Sequence, residues 1–501
     1  MQSKAKDLIL KNTFVLFAGQ LTTWALTILF SVYVARRVGT YGWGELTIAW
    51  GWTTIASTLA ALGIGTLMVR DMARTKSKVP ALVGVALMTR IVLALPCLAV
   101  IVFLAWLIYP SQLHTQVVID ILSVGMVVQL LTGPFQAGFQ ALERMKYNSL
   151  SDVITKAIVS LVSIAMVLLG RGIILISIVS TLASIVVLIL NVLWWRPLGR
   201  LELRLDWKLF RYLVVGGLPF WATGIFLTIY LYIDSLMLSK LANSDVVGWY
   251  GAPTKLFSTL LFIPVILSTA MFPALSRTFK RAPREMVKMA RRSFNLLTCF
   301  SLPVAVGGML LSKQIILLLY GQEYTPSIPI MVVLSATLVP TYLNILVNQF
   351  LVAADRQIAW TKVMAAACVL NPAINFVLIN FYQRTHGNGA FGAGLALLIT
   401  EALMTIAGIA LLPRGVLGWS NVVSMVKSCA AVGLMALAIW YTHNYFIAIP
   451  IAVGAVVYAV AGLALGAIPR QDFNELGQVA GKVLRKLGVK RAMPAAPAQA
   501  N

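Results

Sequence analysis

The sequence predicts an all-α integral membrane protein with about 14 transmembrane helices, built as two parallel six-helix lobes around a central cavity plus two extra C-terminal helices. Three observations predict this class. The 501-residue chain is 59% hydrophobic and only 11% charged, against about 25% charged in soluble domains. Its mean hydropathy is +0.87, and long apolar stretches recur from end to end. An internal repeat then divides these stretches into two sets of six. A soluble enzyme is therefore not expected.

Each predicted helix is an apolar stretch long enough to cross a bilayer. A transmembrane helix needs about 20 mostly apolar residues, because lipid offers the backbone no hydrogen bonds. Only Gly170-Arg171-Gly172 separates the fifth stretch from the sixth, so totals of 12 or 13 helices stay open. The fourteen stretches lie near residues 12–35, 44–66, 82–108, 117–140, 149–169, 172–194, 212–238, 247–273, 293–312, 327–350, 358–381, 390–412, 421–442 and 446–468.

The basic residues indicate the orientation, because Lys and Arg collect in cytoplasmic loops. Of the 40 Lys and Arg residues, thirty lie in segments on the side of the N-terminus, six lie in loops on the other side, and four lie inside predicted spans. Both termini are therefore predicted to be cytoplasmic. The net charge of +24 is then a topology signal, and no nucleic-acid partner is expected.

Two pairs of similar motifs indicate the internal repeat. Gly42-Trp43 follows the first span as Gly248-Trp249 follows the seventh, and residues 141–144 follow the fourth span as residues 353–356 follow the tenth. The two offsets are nearly equal, which suggests duplication of a six-helix unit. Because six is even, both units enter the membrane the same way up, as in transporters with parallel repeats.

The predicted domains follow from this repeat. The N-lobe with helices 1–6 occupies 1–194, a cytoplasmic linker 195–211, the C-lobe with helices 7–12 residues 212–412, helices 13–14 residues 413–468, and a basic cytoplasmic tail 469–501. Apolar residues from Phe473 to Leu487 recur in the tail at helical spacing with Lys and Arg between them. An amphipathic helix on the inner leaflet and an ordinary solvated helix are both open there.

No catalytic site is predicted. His114, His386 and His443 lie in or beside the outer loops, and no metal-ligand spacing or phosphate-binding glycine loop accompanies them. We therefore expect a transporter and no enzyme, with no cofactor and no metal ion.

Motifs along nearly the whole chain resemble those of bacterial polysaccharide flippases of the O-antigen and exopolysaccharide type. These flippases belong to the multidrug, oligosaccharidyl-lipid and polysaccharide exporter superfamily. The motifs that carry the resemblance are Val38-Gly39 with Gly42-Trp43-Gly44, Leu218-Pro219, Ile233 to Leu238, Val247 to Tyr250, Tyr320-Gly321 with Tyr324, Asn371 to Asn375, and Gly389 to Glu401.

The resemblance implies export of a polyprenyl-diphosphate-linked oligosaccharide from the inner to the outer leaflet by alternating access, for polysaccharide biosynthesis. It implies a bacterial inner (plasma) membrane as the location. It also implies partners: the polyprenyl-diphosphate-linked glycan, membrane lipids, H⁺ or Na⁺, and a polysaccharide polymerase with its assembly proteins.

Two alternatives stay open. The first is a cation-coupled drug or small-molecule exporter of the same fold. Such exporters often carry a carboxylate in the first span, whereas residues 12–35 contain no acid. The second is a polytopic glycosyltransferase or polymerase. This weaker alternative would need acidic pairs or a large outer loop.

Charged residues inside predicted spans are the first candidates for function, since each costs about 2.5–3.5 kcal/mol in lipid. Arg90, with small neighbours on its helix, either grips the diphosphate of the carrier with paired hydrogen bonds or extends to the inner surface. Glu401 either binds a coupling ion or forms hydrogen bonds between helices. Asp234 and Lys255 are expected to be a structural ion pair, with a gate or cation site as the alternative.

The remaining candidates are a lysine and several uncharged polar residues. Lys156 has Asp152 four residues earlier, which predicts a local helical ion pair. Carboxamides inside spans either contact sugar hydroxyls or hydrogen-bond neighbouring helices. The candidates for sugar contact are Gln20, Asn344, Asn348, Asn371 and Asn375.

Overall fold

The structure is a computed structural model that describes residues 2–75, 79–199, 201–203, 206–268, 271, 275, 283–413 and 415–467. Side chains are described from residue 18 onward within these ranges, except for Thr223 and Pro283. This part of the chain contains helices and no strand, and twelve of its helices are long and apolar enough to cross a membrane. The predicted fold class is confirmed. The tail after residue 467, with its predicted helix, lies outside the described residues.

The helices follow the predicted spans closely. We assign the helices to the two lobes that the sequence repeat predicts. To the N-lobe belong α1 (Gln2–Ala61), α2 (Ile64–Arg74), α3 (Val79–Ile108), α4 (Leu113–Ala141), α5 (Met145–Leu168) and α6 (Ile173–Trp195). To the C-lobe belong α7 (Trp207–Leu241), α8 (Ser244–Leu260), α9 (described at 262–268), α10 (Pro283–Leu310), α11 (Ser312–Leu319), α12 (Ser327–Ala353), α13 (Gln357–His386) and α14 (Gly389–Leu411). The C-terminal pair is α15 (Trp419–Thr442) and α16 (Ala448–Ala464).

The first two predicted spans differ from expectation because no loop separates them. They form one helix, α1, which bends sharply at Gly39, where φ is 74° and ψ is 179°. This backbone conformation suits glycine, which has no Cβ to clash with the carbonyl oxygen. We call the membrane face that carries the N-terminus the proximal face and the opposite one, which carries Gly39, the distal face.

The lobes meet at the distal face along two helices that belong to the sequence repeat. α1 packs along α8, and Gly44 lies against the Ser244 carbonyl while Gly248 lies against the Thr40 carbonyl. A Cβ on either glycine would collide with the opposite backbone. Thr40 also donates a hydrogen bond of 2.5 Å to Asp245. We call this crossing of α1 and α8 at Gly44 and Gly248 the distal seal.

Further hydrogen bonds near the distal face join the lobes. The Tyr324 hydroxyl donates to the carbonyls of Ala35 and Gly39, at 3.0 and 3.1 Å. The Tyr109 and Ser239 hydroxyls are 2.7 Å apart. These contacts link α1 and the end of α3 in one lobe to segments of the other, so the lobes are closed together at this face.

Candidate functional site

A polar cavity lies in the membrane-spanning region, with most of its walls in the N-lobe and Tyr232 of α7 and Lys255 of α8 bordering it from the C-lobe. It consists of an upper compartment of about 570 Å³ and a lower compartment of about 290 Å³, which lies nearer the proximal face. The compartments share walls made by Gln129, Thr155, Lys156 and Ser184. Together they fall within the size range of sites that bind small molecules.

Hydroxyl groups line most of the upper compartment. Apart from Tyr232 of α7, they come from α1, α5 and α6. Several bond a carbonyl one turn back in their own helix, as Thr53 does with Ala49 at 2.8 Å and Ser180 with Ile176 at 2.9 Å. Ser160 and Thr181 donate instead to carbonyls of neighbouring helices, at 3.0 and 2.8 Å. This bonding to carbonyls keeps the hydroxyls satisfied in lipid and leaves their second hydrogen-bonding capacity facing the cavity. The lining hydroxyl residues are Thr27, Ser31, Thr53, Thr54, Ser57, Thr155, Ser160, Ser180, Thr181, Ser184 and Tyr232.

Two lysines face the upper compartment. Lys255 comes from α8 and holds its Nζ 4.5 Å from the centre of the Trp50 ring, a cation–π contact. Lys156 comes from α5 on the opposite lobe, and the two ammonium groups repel each other. Two like charges facing one cavity are stabilised by an anion between them. The compartment is therefore suited to an anionic group.

The expected ion pair between Lys255 and Asp234 is wrong. Lys255 faces the cavity, whereas Asp234 points into the C-lobe and accepts hydrogen bonds from Tyr250 and Asn375, both at 2.7 Å. The two residues lie at similar depths in the membrane, but depth does not determine which way a helix turns its faces. The packing of α7 against α13 decides the partner of Asp234.

The lower compartment is lined by hydroxyls, carboxamides, one lysine and one carboxylate. Gln20, Gln129 and Gln136 contribute the amides, and Asp152 contributes the carboxylate. Of the predicted sugar-contacting residues, Gln20 is thus the one that lines this cavity. Asp152 attracts Lys156 one turn further along α5, but no direct ion pair joins these two described residues.

A second polar region lies inside the C-lobe, around Glu401 on α14. The side chain is buried, with 6% of its surface exposed. Tyr230 donates to one carboxylate oxygen at 3.0 Å, and Asn344 donates to the other at 2.6 Å. Thr405 in turn donates to the Asn344 side-chain oxygen at 3.0 Å. Neutral donors thus surround the Glu401 carboxyl group.

The buried carboxyl group of Asp234 belongs to the same region. Asn375 donates to it and also to Asn371, at 2.9 Å, and Asn371 donates to Thr400 at 3.4 Å, next to Glu401 in the chain. No described Lys, Arg or His hydrogen-bonds either carboxylate. We call Asp234, Glu401 and their hydrogen-bonding partners the C-lobe carboxylate network. Such a network binds a proton or a small cation more readily than it tolerates two bare negative charges.

Five of the predicted substrate-binding residues do not line the polar cavity. Asn344, Asn371 and Asn375 point at the carboxylates, and Asn348 is half-buried on α12. Arg90 is also outside its lining: it is 5% exposed between α3 and α4, and a Cβ on Gly133 would lie 3.9 Å from its guanidinium.

The hydroxyls of the upper compartment escaped the sequence analysis. A signal was present, because serine and threonine recur four residues apart on α1 and α6: Thr27 with Ser31, Thr53 with Ser57, and Ser180 with Ser184. That spacing puts two hydroxyls on one helix face. The sequence predicts a local ion pair of Lys156 with Asp152, whereas the structure places Lys156 in the wall of both compartments.

A long apolar groove of about 820 Å³ lies between α10 and the C-terminal pair α15 and α16. Its walls run from Lys288 to Leu311 on α10, which is about 35 Å of helix, roughly the thickness of the bilayer core. Arg291 and Arg292 lie at its proximal end. The groove is therefore suited to a long hydrocarbon chain whose polar end lies at the proximal face.

Comparison with known proteins identifies relatives of the chain. The family model described as polysaccharide biosynthesis protein matches residues 9–279, more than half of the chain, and the MatE model matches residues 219–378. A protein of Haloferax volcanii named "Probable flippase AglR" is 22% identical over 462 residues, which span 89% of this chain and 92% of that protein.

Solved structures show the same fold. The lipid II flippase MurJ in an inward closed conformation matches 90% of this chain and 98% of its own, with a TM-score of 0.69 at 13% identity. An inward-facing multidrug resistance MATE family transporter of the MOP superfamily matches 82% and 94%, with a TM-score of 0.64 at 12% identity. With its polar cavity inside a multi-pass membrane fold and a family match over more than half its length, the chain belongs to the polysaccharide biosynthesis protein family.

Proposed function

We propose that this protein is a flippase that carries a polyprenyl-diphosphate-linked oligosaccharide from the inner to the outer leaflet by alternating access. One observation carries the proposal: a cavity inside the membrane combines two lysines with sixteen hydroxyl and carboxamide side chains. That composition matches a ligand with an anionic group joined to sugars. The relatives named as flippases support the same activity.

Lys156 and Lys255 hold the diphosphate in this proposal. Ammonium groups bind phosphate as compact charges, and each charge-assisted hydrogen bond contributes about 1.5–3 kcal/mol. The bound anion also removes the repulsion between the two lysines. The sequence predicts Arg90 for this role, but Arg90 does not line the cavity. Its guanidinium lies near Gly133, next to the cavity-lining Thr132, so its charge attracts the diphosphate only at longer range.

The other parts of the substrate have matching surfaces. Sugar hydroxyls find hydrogen-bonding partners among the serines and threonines of the upper compartment and among the threonines and carboxamides of the lower one. Trp50 and Tyr232 offer aromatic faces to sugar rings. The polyprenyl chain is apolar and long. The groove between α10 and the C-terminal helix pair can hold it through the bilayer core.

The orientation follows from the charge distribution. The proximal face with both termini is the cytoplasmic one, in the inner membrane of a bacterium, and the distal seal faces outward. The lobes are joined at the distal face, so in this conformation the cavity is closed toward the outer side. A polysaccharide polymerase with its assembly proteins stays an expected partner on the resemblance alone.

The C-lobe carboxylate network supplies the coupling to an ion. Glu401 and Asp234 lie on α14 and α7, with neutral donors around both. Binding H⁺ or Na⁺ would stabilise the network in one arrangement of these helices, and a gradient of that ion would then drive the cycle. In the C-lobe carboxylate network the asparagines hold the carboxylates in place and do not contact sugars; they are Asn344, Asn371 and Asn375.

Binding tests the assignment of the lysines. The full chain in nanodiscs should bind a fluorescent short-chain polyprenyl diphosphate disaccharide, and Lys156→Met and Lys255→Met should each weaken binding about tenfold or more, the loss of one charge-assisted hydrogen bond. Lys240→Met, at the distal end of α7 outside the polar cavity, is the matched control and should bind normally. Unchanged affinity in both cavity variants would contradict the assignment.

A drug exporter is the second candidate, favoured by the MatE match and the MATE structure. The cavity argues against it, because two lysines repel the organic cations that a multidrug exporter of that kind would carry. We expect no saturable binding of a lipophilic fluorescent cation to the wild-type chain. The drug exporter would be favoured if the wild-type chain bound the fluorescent cation, if Lys255→Met strengthened that binding little, and if the polyprenyl diphosphate probe did not displace the cation.

A further inference from the structure

Charges of opposite sign are separated along the polar cavity. The lysines lie in the upper compartment, and Lys156 also borders the lower one. Asp152 lies in the lower compartment and is the one acidic residue among the described residues that line the cavity. Both Asp152 and Lys156 have exposed side chains, and both face the cavity.

The spacing of these two residues fixes what lies next to a bound phosphate. Residues four apart on a helix have Cβ atoms about 5–6 Å apart on the same face. A phosphate held by Lys156 therefore has the Asp152 carboxylate close to its proximal side. The other polar groups there are uncharged, with Gln20, Gln129 and Gln136 among them.

We propose that Asp152 determines which sugars the protein accepts: the sugar joined to the diphosphate carries no carboxylate. This inference rests on the proposed function and specifies its substrate class. Neutral, N-acetylated and amino sugars are compatible with the lower compartment, because their hydroxyl, amide and ammonium groups can donate hydrogen bonds to the Asp152 carboxylate. A hexuronic acid at that position places a second carboxylate against Asp152.

Charge balance makes the discrimination strong. The diphosphate already neutralises Lys156 and Lys255, so neither lysine is left to compensate another anion. Inside a cavity walled by apolar helices, water screens like charges less than it does in bulk. Unfavourable placement of like charges is a common basis of specificity, and it costs several kcal/mol in well-packed sites.

The test compares two probes that differ at one carbon. Both are short-chain polyprenyl diphosphate disaccharides; the first sugar is a hexose in one and the corresponding hexuronic acid in the other. The wild-type chain in nanodiscs should bind the hexose probe at least about tenfold more tightly. Asp152→Asn should bind the hexuronic acid probe more tightly, so that the two affinities come within about threefold of each other. Asp152→Glu should retain the discrimination.

Asp120→Asn is the matched control. This carboxylate on α4 accepts a hydrogen bond from Trp106 outside the polar cavity, so its loss should leave the ratio of affinities unchanged. Equal binding of both probes by the wild-type chain, or an unaltered ratio in Asp152→Asn, would overturn the inference while the flippase function stands. Binding of neither probe would overturn the proposed function and this inference with it.

Discussion

Fixed charges inside the membrane are separated by sign between the polar cavity and the C-lobe interior. The cavity presents Lys156 and Lys255, and the C-lobe interior buries Asp234 and Glu401 among neutral donors. Each arrangement leaves the charge without a direct ion-pair partner among the described residues. A charge of this kind is expensive at membrane depth, so it indicates a ligand of opposite sign. The anion-binding and cation-binding parts are thus separate.

Glu401 gives the first prediction at this scale. Glu401→Gln keeps the shape and one acceptor but removes the titratable group, so transport should lose its dependence on the coupling ion while the fold survives. Glu401→Ala removes the acceptor of the Tyr230 hydroxyl and one of the two acceptors of the Asn344 amide, which also donates to the backbone carbonyl of residue 401. The loss should lower the free energy of unfolding by about 1–3 kcal/mol for each donor left without an acceptor. The measurements are transport against imposed pH and Na⁺ gradients, and thermal unfolding.

Glu285→Gln is the control, because Glu285 pairs with Lys288 at the exposed start of α10. It should change neither the ion dependence nor the stability. A Glu401→Gln variant that follows the gradient as the wild type does would exclude Glu401 from coupling.

The partners of single residues could be predicted only in part. Asp234, Lys255 and Glu401 stood out in the sequence because charges are rare in spans, and the structure gives each of them a polar setting. The proposed pair of Asp234 with Lys255 failed, since a one-dimensional depth says nothing about which helix faces meet. The asparagines near the carboxylates could also be identified from the sequence, because polar side chains are rare in spans. Their hydrogen-bonding partners could not, because these depend on the packing of α7, α12, α13 and α14.

At the scale of helices, glycine decides where the lobes approach each other. Gly44 and Gly248 allow the α1 and α8 backbones to touch at the distal seal. At the proximal side, Gly63 and Gly217 bring the break between α1 and α2 against α7 in the same way. Helices that cross at small residues can separate and rejoin without unpacking large side chains.

The distal seal gives the prediction at this scale. Gly248→Ala places a Cβ against the Thr40 carbonyl, so the helices must move apart and the outward-open state should gain population. In a background without the native cysteines, Ser57→Cys in the cavity should then react faster with an impermeant thiol reagent added outside. Gly433→Ala, where nothing lies within 4 Å of the added Cβ, is the control and should leave the rate unchanged.

An equal labelling rate in Gly248→Ala and the control would show that the distal seal is not the barrier to the outer side.

The helices themselves were predictable from the sequence, because lipid requires about 20 apolar residues for each transmembrane helix. Their contacts were not, although the repeated Gly-Trp pairs marked both sides of the seal. Repeat motifs identify equivalent segments, and only the folded chain shows that these two touch.

The whole molecule combines three surfaces in one transport cycle. The polar cavity receives the head group, the apolar groove holds the lipid chain, and the C-lobe carboxylate network binds the ion. Lys255 and Tyr232 reach the cavity from α8 and α7, while Asp234 and Tyr230 on α7 belong to the network. One helix therefore borders both the cavity and the network, so ion binding can alter the substrate site without a long pathway.

Translocation across a defined bilayer tests the central claim most directly. Proteoliposomes with a fluorescent polyprenyl diphosphate oligosaccharide should show exchange between leaflets, measured by a membrane-impermeant quencher, well above the rate of empty liposomes. The Lys156→Met, Lys255→Met double variant should fall to the empty-liposome rate at equal protein incorporation, and Lys240→Met should match the wild type. A double variant that moves the lipid as fast as the wild type, or a wild type no faster than empty liposomes, would contradict the account.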